Sequence, residues 1–139
     1  MNVTITTERA RMDVAAIHAF LSQESYWAKN VPREIVERAL DHSLCVGAFD
    51  GEAQVGFARA ISDRATFAYI ADVYVLPSHR GLGIAKRVME AIVAHPELRT
   101  IRRWHLVTRD AHGLYAQFGF HALDVPERHM MKIVKNPYG

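Results

Sequence analysis

The chain has 139 residues, 50% of them hydrophobic and 23% charged, with a formal net charge of +2. That length suits a single domain spanning residues 1–139 with a sizeable core, and the composition excludes a disordered chain. So small a positive charge, spread over scattered Lys and Arg, leaves no electrostatic footprint for nucleic acid.

The N-terminal "MNVTITTERARMD" is polar and has no apolar signal core, and no segment approaches the roughly 18 apolar residues of a membrane span. The expectation is a soluble, cytoplasmic protein. Within that stretch "VTITT" is β-branched and alternating, a first strand. Asp13 can cap a helix running to about Gln23, with Val14, Ile17, His18 and Leu21 at helical spacing. His18 on that apolar face is most simply a satisfied core residue. "SQESYWAKNV" interrupts the pattern, and Pro32 suits the first turn of a second helix, "PREIVERALDH", with Ile35, Val36, Ala39 and Leu40 inward.

From Ser43 the pattern becomes β-like. "LCVGAFD" and "AQVGFARAIS" flank "DGE", a hairpin signal. Cys45, the single cysteine, cannot form a disulfide within the chain, which fits a reducing compartment, and its apolar setting reads as a small buried hydrophobe rather than a nucleophile. "TFAYIADVYVLP" predicts a central strand ended by Pro77. The turn "HRGLGIA" follows, then a helix with Ile84, Val88 and Ile92 as an inner stripe, widened by Ala85, Met89 and Ala91. Pro96 stops that helix. "IRRWHLVT" reads as a strand, and "DAHGLYAQFGF" as a short helix with Asp110 as N-cap and Gly119 as a left-handed C-terminal cap. "GFHALD" and "RHMMKIV" predict a final antiparallel pair. The sum is one mixed α/β domain in the order β-α-α-β-β-β-α-β-α-β-β.

Strand, glycine turn, helix start is a recipe for holding an anion. The first-turn N–H groups of a helix lack intrahelical partners, the helix dipole adds partial positive charge, and glycines at 81 and 83 let a ligand approach the backbone. Neither G-x-x-x-x-G-K-[ST] nor G-x-G-x-x-G is met, since position 86 is Lys86.

"DVYVLPSHRGLGIAKRVME", with Arg80-Gly81-Leu82-Gly83-Ile84-Ala85 at its centre, resembles the acetyl-CoA-binding motif of the GNAT N-acetyltransferase superfamily. "LYAQFGF" resembles that superfamily's "LYxxxGF" block, in the right order after the next strand. The resemblance implies a central mixed sheet splayed around the acetyl-CoA site and flanked by about four helices. It also implies acetyl-CoA as acyl donor and transfer to a primary amine of a small molecule or peptide by direct attack on the thioester. The histidines show no ligand spacing such as H-E-x-x-H and there is one cysteine, so no metal is expected. Backbone amides of Gly81, Gly83, Ile84 and Ala85, with Arg80 nearby, would bind the pyrophosphate; main-chain groups of Val73 and Val75 would meet the pantetheine arm. Thr108 stands where many members carry Asn at the end of the strand. A homodimer through the C-terminal strands is the expectation for assembly.

Acetyl transfer requires a neutral amine held near the thioester carbon, stabilisation of the developing oxyanion, and a proton for the leaving thiolate. By the resemblance Tyr115 supplies that proton; alternatively it is a core aromatic of the short helix. His112, one turn earlier on the same face, is within reach of the cofactor. Asp72 is a carboxylate in an apolar strand, where alternation puts it on one face with Ile70 and Tyr74, opposite Val73 and Val75. It reads as a base, an ammonium anchor or a structural acceptor, with Glu24 and Glu34 as weaker candidates for the base. For the acceptor, Tyr26 and Trp27 can wall a pocket or plug their loop, and Tyr74 shares the face of Asp72. The reading from a different class is a non-catalytic acyl-CoA-binding sensor or regulatory module.

Overall fold

In the computed structural model, which describes residues 2–139, the strands β1 (Val3–Thr6), β2 (Leu44–Asp50), β3 (Ala53–Ser62), β4 (Phe67–Val75) and β5 (Arg103–His105) lie side by side in sequence order in one sheet. β1 to β4 pair antiparallel, and β5 is parallel to β4. A parallel neighbour needs a crossover, which α3 (Ile84–Val93) supplies. The hairpin falls where Asp-Gly places it, Asp50 pairing with Ala53 across Gly51 and Glu52.

Each sheet face carries its own core. On one, Ile84, Val88, Met89 and Ile92 of α3 pack on Val46, Ala48, Val55, Ala58, Ala60 and Ile70, as the helical stripe predicts. On the other, α1 (Val14–Ala19), continued by a wider turn over Phe20–Glu24, and α2 (Arg33–Asp41) bury Ile17, Phe20, Leu21, Val36 and Leu40 against Cys45 and Phe57. Asp13 caps α1, its Oδ1 accepting the Ala16 N–H at 3.0 Å. His18 is satisfied by the Val31 carbonyl at 3.0 Å. Cys45 is 2% exposed, and burial pushes its thiol up to about 11. It behaves as the small hydrophobe expected.

A β-bulge revises the alternation assumed for β4. Phe57 pairs with Tyr74, but Arg59 pairs with Ala71, so Asp72 and Val73 together oppose Ala58. Asp72 takes a left-handed φ of 56°. The extra residue flips the face: Ile70 lies in the α3 core and Tyr74 in the α1–α2 core, so the two do not share a side.

The C-terminal third departs further. β5 is shorter than "IRRWHLVT" implies, and its ladder with β4 stops at Tyr69–His105, just before the bulge turns β4 away. Ala111, not Asp110, stands at the N-cap of α4 (His112–Ala116); Thr108 accepts the Ala111 N–H at 3.0 Å instead. Gly119 does close the helix, with φ 88° and its N–H on the Ala116 carbonyl. The expected final strand pair is absent among the described residues. Beyond α4 there is only a short turn, Pro126–Arg128, and Met130, Met131, Ile133 and Val134 are exposed. Their apolar spacing suits a strand, but a strand needs a ladder partner, and the outer edge of β5 offers only a few residues.

Candidate active site

β4 ends at Val75; the next residue, Leu76, returns its N–H to the Val55 carbonyl at 2.8 Å, and Pro77–His79 form a single turn. Gly81 and Gly83 then take φ of 79° and 77°, a region costly for residues with a Cβ. A Cβ at either position would meet nothing within 4 Å, so these glycines answer a dihedral demand and leave the surface open. Gly83 is the N-cap of α3 and no side chain caps that end, so the N–H groups of Ile84, Ala85 and Lys86 point outward without a side-chain partner. Arg80 is exposed, and its Nε donates to the Val75 carbonyl at 3.0 Å, fixing the guanidinium beside the strand end.

Next to this turn the sheet opens. Only Phe67, Ala68 and Tyr69 of β4 pair with β5, so Ile70 to Val75 have no strand partner on that side. Val73 and Val75 are half-buried and pack with the α3 core, as does Tyr115, which is 8% exposed. Burial, then the nearby Tyr26 and Asp110, push the Tyr115 hydroxyl up to about 12, and its ring meets Phe120 edge-on at 6.1 Å. His112 is exposed on the first turn of α4.

The loop between α1 and α2 reaches across to the same region. Ser25 anchors it, Oγ donating to the Leu21 carbonyl at 2.6 Å and accepting the Ala28 N–H at 3.1 Å. Tyr26 and Trp27 meet edge to face at 5.0 Å, and the Arg109 guanidinium lies 4.0 Å over the Tyr26 ring. Trp27 Nε1 donates to Asp72 Oδ1 at 2.8 Å, and Arg59 Nε donates to Asp72 Oδ2 at 2.6 Å while its other nitrogen reaches Ser43 Oγ at 3.0 Å. Both carboxylate oxygens of Asp72 are therefore engaged. Trp27, Ile35, Ala39, Arg59 and Asp72 line a cavity of about 200 Å³.

Tyr26, Trp27, Asp72 and Tyr115 are thus brought to one region, while Tyr74 is not: it is 5% exposed and stacked on Phe20 at 3.9 Å, inside the α1–α2 core. Glu24 and Glu34 are exposed. Arg59, Arg109 and Ser25 were missed by the sequence reading. Only Arg59 carried a signal, as the one charge in the apolar run "AQVGFARAIS". A second cavity, about 580 Å³, lies between β5 and residues 118–129 and shares no lining residue with this constellation. No group of three or more potential metal ligands occurs among the described residues, and no helix there is long and apolar enough to cross a membrane.

A mixed sheet prised open beside an uncapped, glycine-led helix start has the shape and free N–H groups that suit an elongated anionic ligand. The chain belongs to the GNAT acetyltransferase family, whose model matches residues 10–120. It is similar to a Xanthomonas campestris protein assigned to the GNAT family, whose crystal structure has 49% sequence identity and a TM-score of 0.95 over 99% of this chain and 97% of that one. A Gibberella zeae protein assigned as an acetyltransferase is 31% identical over 81% of this chain and 75% of its own length. A chloroplastic serotonin N-acetyltransferase of Oryza sativa is 35% identical over 60% of this chain and 43% of that protein.

Proposed function

We propose that the chain transfers the acetyl group of acetyl-CoA to a primary amine of a small molecule or peptide. One observation carries the reading: the uncapped α3 start, with left-handed Gly81 and Gly83, opens directly onto the unpaired stretch of β4. The residues fit the donor. N–H groups of Gly81, Gly83, Ile84 and Ala85 suit a pyrophosphate, with Arg80 fixed beside them, and a Cβ-free surface admits it. The free main chain at Val73 and Val75 suits an amide-bearing arm laid along β4 as an extra strand, and His112, exposed on the first turn of α4, is the side-chain candidate to contact that cofactor. When bound, acetyl-CoA supplies a thioester carbonyl open to attack by an amine.

The chain's own groups then divide the work. Tyr115 keeps its proton at neutral pH and can donate it from Oη to a leaving sulfur. Asp72, held by Arg59 and Trp27, fits the structural-acceptor reading better than that of a base or an ammonium anchor, because each oxygen already has a donor. It fixes the bulge and the aromatic loop, so Tyr26 and Trp27 wall the acceptor side. An amine with an ordinary pKa of about 10 reaches such a site neutral only through loss of a proton to water or buffer. The rice relative's name, which states an amine acceptor, supports N-acetylation. A cytoplasmic location belongs to the same reading, as does a homodimer formed by the exposed apolar residues at the C-terminus, which gel filtration with light scattering tests.

The decisive experiment is a thiol-release assay with acetyl-CoA across polyamines, amino acids, aminoglycosides, arylalkylamines and peptides. Release with at least one amine is expected. A melting temperature raised by acetyl-CoA without thiol release would instead establish the sensor reading.

A further inference from the structure

One wall of the cavity beside Asp72 comes from none of the helices or strands. It is Tyr138, next to the last residue of the chain. The segment that delivers it is held at its start and turned at its end. At its start His129 stacks on His105 of β5, ring centroids 6.1 Å apart, and His105 stacks in turn on Tyr69 of β4 at 5.7 Å. At its end Asn136 takes a φ of 51° and its carbonyl accepts the Gly139 N–H at 3.3 Å, a turn that carries Tyr138 to Trp27, Ile35, Arg59 and Asp72. Between these points every residue is exposed, Met130 by 98%. The segment is a strap running from the β5 edge to the α2 side of the sheet, and it fastens on the cavity.

Resting on the acetyltransferase reading, we infer that Tyr138 is a specificity-determining residue of the acceptor pocket, closing it around compact amines that carry an apolar or aromatic group. The lining sets that chemistry. Leu21, Ala28, Ile35 and Ala39 give an apolar wall, the rings of Trp27 and Tyr138 can flank a cation, and the Arg59–Asp72 pair adds no net charge to the lining, so the apolar and aromatic surface sets the choice of guest. A cavity of about 200 Å³ holds a single ring or a short aliphatic chain. An aminoglycoside or a folded peptide tail is too large for it. Tyr138 is 37% exposed, so its ring borders the cavity from outside and its removal opens the pocket without disturbing either core.

The test compares the intact chain with Tyr138→Ala, Tyr138→Phe and a chain ending at Lys135, all of which alter only exposed terminal residues. Initial rates are measured against phenethylamine, spermidine and kanamycin at saturating acetyl-CoA, and separately against acetyl-CoA. Expected is a preference of the intact chain for phenethylamine. Tyr138→Ala and the shortened chain should raise the KM for it about tenfold, with kcat and the KM for acetyl-CoA within about twofold, and should narrow the margin over kanamycin. Tyr138→Phe should behave like the intact chain, since the ring rather than the hydroxyl forms the wall. An intact chain active on phenethylamine whose KM and selectivity are unmoved by Tyr138→Ala overturns the inference and leaves the acetyltransferase reading standing. An intact chain that prefers kanamycin also overturns it alone. An intact chain that binds acetyl-CoA but acetylates no amine removes the acetyltransferase reading, and the inference with it.

Discussion

Asp72 shows how one residue can serve fold and site together. Its left-handed backbone costs on the order of 1 kcal/mol for most side chains, least for Asp and Asn. Its carboxylate, 12% exposed, is paired with Arg59, itself 16% exposed, so deleting it strands a largely buried guanidinium. Asp72→Ala should therefore lower unfolding free energy by on the order of 3 kcal/mol in urea titrations, and Asp72→Asn by clearly less, because Asn tolerates the backbone and can still accept from Trp27. Equal losses for both would remove the backbone part of this account. Tyr115 makes a second residue-scale case. Tyr115→Phe should cut kcat about 100-fold with little change in the KM for acetyl-CoA. With the hydroxyl held near 12, kcat should climb from pH 7 to pH 10 as the amine deprotonates, with no falling limb from Tyr115 in that range. A fall setting in below pH 10 would assign the donor elsewhere. The sequence named both residues, since a carboxylate in an apolar strand and a tyrosine in "LYAQFGF" stand out locally. It could not show that Arg59 holds Asp72, because their meeting depends on a bulge that shifts strand register, and register is not a property of either strand alone.

At the scale of elements, what is local in sequence was legible and what depends on a distant partner was not. The α3 stripe, the Asp13 cap, the Asp-Gly hairpin and the Gly119 cap each rest on a few adjacent residues, and each is found as expected. "GFHALD" and "RHMMKIV" have the composition of strands but lie beyond a β5 whose ladder is already short, so extended chain finds no neighbour to pair with. Asp110 does not cap α4: the N-cap is Ala111, no side chain caps that end, and Thr108 takes the Ala111 N–H just before the helix, an outcome that spacing alone does not decide. The glycine turn yields the prediction proper to this scale. Because an added Cβ at Gly83 meets nothing, Gly83→Ala should cost only the left-handed strain, about 1–2 kcal/mol, and Gly83→Asn less. Both should weaken acetyl-CoA binding in calorimetry, since the side chain would project into the open face at the α3 N–H groups. If Gly83→Asn keeps both full stability and full affinity, the anion belongs somewhere other than this turn.

For the whole molecule the buried titratable groups set a limit at high pH. Burial holds the Cys45 thiol up near 11 from an ordinary 9.0, and Tyr115 near 12 from an ordinary 10.0. A group whose folded pKa is raised lends stability in full below its unfolded value and loses it as pH climbs through the folded one. The two sit on opposite faces of the sheet, Cys45 under α1 and α2 and Tyr115 under α3, so alkali loosens both layers rather than one edge. Melting temperature should accordingly stay level from pH 7 to about 9 and then fall steadily toward pH 11. Cys45→Ala removes one of the two groups and leaves a gap no larger than its sulfur. The variant should start a few degrees lower at pH 7 and decline less steeply between pH 9 and 11, so that the two melting curves converge as pH rises. Parallel curves would mean that Cys45 titrates in the folded protein as it does in the unfolded chain, and would place the alkaline loss on Tyr115 and the deeply stacked Tyr74, whose hydroxyl burial likewise raises.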